Sequence, residues 1–213
     1  MISTAIFDLD GLLADTEGLH RAAYQEVLGG LGVDVSDEQY ADHWIRSGKG
    51  IDAFVSERNL AIDPALVRRR KARIYGKLVS EGVDPMPGSR DLLGSLKGRK
   101  ALALATSSYP KDARAVLAVL GFDTFFSCIV AKGDVEHTKP HPDAFLHAAD
   151  KMDAAPQHCV VIEDAEKGVL AADAAGMKCI AVPNEHTADN DFSKATLVVD
   201  SLEQITFELI DRL

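Results

Sequence analysis

The chain is poor in cysteine, in positive charge and in long apolar runs. Of its 213 residues only three are cysteine, at Cys128, Cys159 and Cys179. An odd count at such wide spacing makes neither a disulfide framework nor a zinc pattern. Each lies in an apolar stretch such as Cys159-Val160-Val161-Ile162 and reads as a small buried hydrophobe. Lys and Arg number 23 against 33 Asp and Glu, a net charge of −10. That balance argues against binding a nucleic-acid backbone, which needs Lys and Arg gathered on one face. It leaves room for a small anionic substrate held at a locally positive site. No apolar run approaches the ~20 residues that span a bilayer, and no charged start followed by an apolar stretch opens the chain. The expectation is a cytoplasmic protein with no membrane partner. A 46% hydrophobic and 26% charged composition excludes a disordered chain.

Short β-branched runs alternate with longer amphipathic ones. The runs at 4–9, 100–106, 127–131, 158–163, 178–182 and 196–199 are nearly all apolar, as strands covered on both faces are. Helical patterns lie between them at 88–96, 110–120, 140–152, 165–175 and 202–213. Gly121 and Gly176 fit the position just past a helix end, and Ser201 or Asp200 can cap the last helix. Strand–helix alternation predicts an α/β fold, a doubly wound, Rossmann-like parallel sheet with right-handed crossovers. One interval departs from it. From about Asp15 to Asp84 no strand is expected, and four helices are, at 17–31, 37–45, 51–59 and 64–81. Ser36-Asp37-Glu38-Gln39 has capping-box spacing, and Asp63-Pro64 reads as an N-cap followed by an N1 proline. The predicted organisation is therefore an α/β core of residues 1–14 and 86–213, with an all-helical insert at 15–85.

Ligands of open α/β sheets bind beyond the carboxyl ends of the strands. There the first strand delivers Asp8, Asp10 and Gly11, the second Thr106, Ser107 and Ser108, and the fourth Glu163 and Asp164; Lys139 follows the third. Taken singly, Asp8 and Asp10 could be turn residues and Glu163 and Asp164 helix caps. Together they repel. Two carboxylates at ~4 Å cost about 4 kcal/mol at an effective dielectric near 20. Four around one lysine call for a cation or raised pKa values, and hard oxygen donors suit Mg²⁺. A carboxylate can attack a phosphoryl group. A second acid two residues on can protonate the leaving oxygen and later take a proton from water. A lysine, a hydroxyl and a divalent cation can hold the phosphoryl oxygens.

Phe7-Asp8-Leu9-Asp10-Gly11, Thr106, Lys139-Pro140-His141-Pro142-Asp143 and Glu163-Asp164-Ala165-Glu166-Lys167-Gly168 resemble, in order and spacing, the four motifs of the haloacid dehalogenase-like hydrolases. The likeness runs essentially the whole chain, and the helical insert resembles that superfamily's small cap. The resemblance implies that Asp8 is the nucleophile and Asp10 the general acid/base. It implies that Thr106 and Lys139 bind phosphoryl, and that Asp164, Asp8 and the Asp10 backbone carbonyl hold Mg²⁺. Glu163 would be a metal ligand or would support one. An acid at position 10 places the chain in the phosphatase and phosphomutase branch, near β-phosphoglucomutase-like members. Leu12, Thr138 and Ala165 depart from the usual pattern at side or packing positions.

By the same resemblance the cap closes over the site and sets substrate choice. His20 corresponds to a gating histidine and Lys71 to a substrate-facing cation. Lys49, in the loop Arg46-Ser47-Gly48-Lys49-Gly50, could grip a second phosphate or a sugar hydroxyl. Ser107 is expected to contact substrate, whereas Trp44 and Tyr75 are expected in the cap's own core. The functional expectation is a Mg²⁺-dependent, monomeric phosphatase of a small phosphorylated metabolite, a sugar phosphate, working through an aspartyl-phosphate. A β-phosphoglucomutase-like phosphomutase, sharing every catalytic residue, is the alternative. A phospho-accepting signalling receiver is a remote one: receivers are about half this length and lack a cap.

Overall fold

A computed structural model describes all 213 residues, Met1–Leu213. The chain divides into two compact units, Met1–Asp15 with Asp84–Leu213, and Thr16–Val83.

The first unit is built on a six-stranded sheet of β1 (Thr4–Phe7), β4 (Ala101–Ala105), β5 (Cys128–Val130), β6 (Cys159–Glu163), β7 (Lys178–Ala181) and β8 (Leu197–Val198). A two-residue antiparallel ribbon, β2 (Ala14–Asp15) with β3 (Asp84–Pro85), stands apart from it. Strand order is β5-β4-β1-β6-β7-β8 and every pair in the large sheet is parallel. This is the doubly wound order, in which the chain moves outward from β1 in one direction and then in the other. The strands read as apolar runs because both faces are covered: Ile6, Ala103 and Val161 pack into one cluster with Ala144, Phe145, Ala148 and Val169. Leu102, Leu104, Val160 and Ile162, on alternate positions, are buried as well.

The helical unit contains α1 (Glu17–Gly29), α2 (Asp37–Tyr40), α3 (Ile51–Glu57) and α4 (Pro64–Glu81). Ser36 forms the capping box with Gln39, and Asp63 caps α4 ahead of Pro64. Its core joins Val27, Leu28, Tyr40, Phe54 and Val67, with Tyr24, Trp44 and Ile74 packed against them.

Helices α5 (Ser89–Leu96), α6 (Pro110–Leu120), α7 (Asp143–Lys151), α8 (Glu166–Ala174) and α9 (Phe207–Asp211) complete the first unit. Gly121 ends α6 in the left-handed region at φ 66°. Several expectations need correction. The ribbon lies at the two ends of the interval read as strand-free, with Asp15 and Asp84 inside it and Ala14 and Pro85 outside; at two residues each its strands have no periodicity to reveal them. The helix expected at 37–45 changes to a π-helical turn over Ala41–Arg46. The helix expected at 140–152 starts only at Asp143, since Pro140 and Pro142 supply no N–H and favour extended neighbours. The helix expected at 202–213 is two pieces. Ser201 caps a 3₁₀ turn at Leu202–Gln204, Ile205 is extended, and the Thr206 hydroxyl caps α9.

Candidate active site

The winding reverses between β1 and β6, and the carboxyl ends of those two strands carry Asp8, Asp10, Glu163 and Asp164. Phe7 pairs with Ile162, so the next residues, Asp8 and Glu163, emerge side by side. The Asp8 N–H donates to the Ile162 carbonyl at 3.1 Å. Between the two carboxylates sits the Lys139 ammonium, 2.5 Å from Asp8 Oδ1 and 2.5 Å from Glu163 Oε1. Its third proton goes to the Ala105 carbonyl at the end of β4, at 2.8 Å. All three donors of the lysine are thus spent, and its side chain is almost completely buried.

Glu163 is equally committed. Its Oε2 accepts from the Asp164 and Ala165 N–H groups at 3.1 and 3.3 Å. The carboxylate lies against Gly168, where a Cβ would fall 1.9 Å from its carbon. Glycine at that place is a packing requirement. Asp164 Oδ2 accepts from Asn184 Nδ2 at 2.9 Å, and the same amide donates to the Gly11 carbonyl at 3.1 Å. Asn184 so ties the loop after β1 to the loop after β6. Gly11, at φ 81°, lets Asp164 come close: a Cβ there would stand 2.6 Å from its Oδ2.

Asp10 sits two residues beyond Asp8, and its Oδ2 faces the turn after β4. Ser108 Oγ donates to that oxygen at 2.6 Å, and Thr106 Oγ1 approaches it at 3.4 Å. The Ser108 N–H donates to Thr106 Oγ1 at 3.0 Å, which closes the turn. Ser107, between them, is half-buried.

The electrostatics follow from burial. Desolvation is the largest influence on Asp8 and raises it to about 7; Lys139 pulls it back, and Glu163 and Asp10 push it up. Asp164 is also raised, by burial first and then by Glu163 and Asp8. Burial alone would lower the Lys139 ammonium, but Asp8 and Glu163 outweigh it and raise it. Lys139 bonds two of the buried carboxylates, Asp8 and Glu163, and Lys167 and Lys139 both pull Asp164 back.

A family model for haloacid dehalogenase-like hydrolases matches residues 2–176. The chain belongs to that family. Within the haloacid dehalogenase-like hydrolases it is an enzyme of the phosphatase and phosphomutase branch, a phosphomonoester hydrolase. The fructose-1-phosphate phosphatase YqaB of Escherichia coli (strain K12) is 37% identical over 178 residues, 83% of this chain and 94% of that protein. The crystal structure of CbbY from Rhodobacter sphaeroides in complex with phosphate matches with a TM-score of 0.90 at 30% identity, covering 99% of this chain and 100% of that one. β-Phosphoglucomutase from Clostridium difficile matches with a TM-score of 0.85 at 31% identity, covering 100% and 96%.

A haloacid dehalogenase-like site implies a divalent cation, and the donor set fits one. Asp8, Glu163 and Asp164 each bring a carboxylate oxygen within 4.8 Å of the others, all buried and all hard. Glu163 already has both oxygens engaged, which leaves Asp8 and Asp164 as the better placed side-chain donors.

In the helical unit His20 and Lys71 lie together. Lys71 Nζ is 2.6 Å from His20 Nδ1 and 4.1 Å from the centre of the Tyr75 ring, on which the imidazole stacks at 4.2 Å. Lys49 is elsewhere, paired with Glu57 at 2.7 Å and half exposed. Tyr75 is buried in that cluster, and Trp44 packs with Tyr24, Tyr40 and Phe54. Sequence reasoning missed Ser108 and Asn184 as members of the site. Ser108 had one signal, its place in the polar run that follows β4; Asn184 had none.

Proposed function

We propose that the chain is a Mg²⁺-dependent phosphatase of a phosphorylated carbohydrate, working through an aspartyl-phosphate on Asp8. The observation that carries the reading is the buried set at the β1/β6 reversal: Asp8 beside Asp164, with Lys139 clamped between Asp8 and Glu163. Asp8 is the nucleophile. Its oxygen forms a bond to phosphorus as the ester P–O bond breaks, and Asp10 gives a proton to the departing sugar oxygen. In the second step water attacks the same phosphorus, Asp10 takes the water's proton, and the Asp8–phosphorus bond breaks to release phosphate. Thr106 and Ser107 hold the phosphoryl oxygens, and Lys139 joins them by turning the donor now on Asp8 to the phosphoryl group that Asp8 takes up. Asp8, Asp164 and the Asp10 backbone carbonyl would hold Mg²⁺, with Glu163 fixing Lys139. When bound, the cation offsets charge on the phosphoryl oxygens and favours the ionised form of Asp8.

The carbohydrate part of the reading rests on the likeness to the fructose-1-phosphate phosphatase and to CbbY, a mutant of which is crystallised with xylulose-(1,5)bisphosphate. His20 and Lys71 are proposed as substrate-facing groups, because a cation and an imidazole share one aromatic platform there. Lys49 is proposed as an accessory contact, available only by giving up Glu57. A phosphomutase is the second reading, favoured by the likeness to β-phosphoglucomutase along the whole chain. It needs the same residues and a bisphosphate that turns around before water arrives.

The test is phosphate release from a panel of sugar 1- and 6-phosphates, phosphoglycolate and nucleotides, with Mg²⁺ and with chelator. Chelator-sensitive release from sugar phosphates is expected, with Asp8→Asn reducing it by more than about 10⁴-fold, as loss of a nucleophile does elsewhere. Conversion of a 1-phosphate to a 6-phosphate without release, primed by a bisphosphate, would establish the mutase instead. An Asp8→Asn protein that still releases phosphate would overturn both.

A further inference from the structure

The geometry points to Ser108 as the residue that positions Asp10 for proton transfer, an inference that rests on the reading of Asp10 as the general acid. The Ser108 hydroxyl has one proton, and it is spent on Asp10 Oδ2 at 2.6 Å, the short range of a hydroxyl–carboxylate bond. Thr106 Oγ1 stands 3.4 Å from the same oxygen, too far to fix it alone. The serine is itself held on both sides of its side chain. Its N–H donates to Thr106 Oγ1 at 3.0 Å, and its carbonyl accepts from the Lys132 N–H at 2.9 Å. The turn after β4 therefore reaches across to the loop after β1 through one defined hydroxyl. A carboxylate turns on two rotatable bonds, and the short bond from Ser108 favours one orientation of Oδ2. Alignment decides how much a general acid contributes, which is about 10²–10⁴-fold.

A positioning role separates cleanly from a binding role by leaving group. Departure of a sugar alkoxide needs a proton, whereas p-nitrophenolate leaves without one. Because kcat/KM reports only the steps through ester cleavage, it is insensitive to the later attack of water. The experiment measures kcat/KM with the best sugar phosphate of the panel and with p-nitrophenyl phosphate, for wild type, Ser108→Ala, Ser108→Thr and Asp10→Asn. Ser108→Ala is expected to lose about 10-fold or more with the sugar phosphate and less than about 2-fold with the aryl ester, Asp10→Asn showing the same selectivity more strongly. Ser108→Thr, which keeps a hydroxyl, is expected to recover most of the loss. Equal losses with both esters would overturn the inference, because they mark a direct phosphoryl contact or a disturbed fold. No loss with either would overturn it too. If Asp10→Asn itself lacked leaving-group selectivity, the reading of Asp10 would fail and take this inference with it.

Discussion

The strand-end site of the core and the polar face of the helical unit use charge in opposite ways. In the core, Lys139, Asp8 and Glu163 are buried; all three donors of Lys139 and both oxygens of Glu163 have named partners. In the helical unit, Lys49–Glu57, Arg46–Asp42 and Arg46–Glu38 are surface pairs, each member substantially exposed. Exposed pairs add little because water and salt screen them. Buried ones fix geometry, and breaking them leaves a charge without compensation. The candidate site is thus the one whose charged side chains are bonded to one another and to the backbone. The surface pairs of the helical unit stay in solvent.

The largest expected effect is on the core's response to pH and metal. Asp8 is raised from 3.8 to about 7 in the folded protein by burial. The folded state then binds more protons than the unfolded chain between those values. The stability linked to Asp8 is fully present below about pH 4 and is lost as pH rises through about 7, on the order of a few kcal/mol. Thermal unfolding in chelator should show a lower midpoint at pH 8 than at pH 5. Mg²⁺ should raise the midpoint more at pH 8, and Asp8→Asn should flatten the pH trend. An unchanged slope in that variant would locate the effect elsewhere.

Two glycines give the next contrast. Both lie inside helices, where alanine normally stabilises by about 0.5–1 kcal/mol. At Gly76 in α4 a Cβ meets nothing within 4 Å, so Gly76→Ala should raise stability by about that amount. At Gly168 in α8 a Cβ would strike the Glu163 carboxylate at 1.9–2.4 Å. Gly168→Ala should instead destabilise by about 1–3 kcal/mol and reduce activity by displacing Lys139's partner. Denaturant titration of the two variants side by side reads the opposite signs. The smallest effect belongs to Lys49→Ala, whose removal from an exposed pair should leave the unfolding midpoint unchanged. A raised KM for the sugar phosphate at unchanged kcat would mark Lys49 as a substrate contact.

Much of this was legible because hydrophobic periodicity and the sheet rule act through the sequence directly. Apolar runs covered on both faces place six strands, the alternation with helices makes them parallel, and parallel winding brings residues at strand ends to one edge. Asp8, Asp10, Thr106, Lys139, Glu163 and Asp164 could be assembled that way before any coordinates. The caps at Ser36 and Asp63 were legible for a similar reason, since capping uses residues three or fewer apart. The ribbon of β2 and β3 was not, because two residues carry no pattern. Nor was the break at Ile205, where the Thr206 hydroxyl starts a new helix in a stretch that reads as helical throughout.

The sequence by itself determined which chemical groups meet: four carboxylates, a lysine and hydroxyls on the carboxyl edge of a doubly wound sheet. Only the tertiary structure decided how they share their hydrogen bonds. It gave both oxygens of Glu163 to Lys139 and the backbone, turned Asp10 toward Ser108, and brought Asn184 from a distant loop to Asp164. The reason is that periodicity fixes where a backbone goes. The partner of each side chain depends on rotamers and loop paths, which burial settles only once the whole chain has packed.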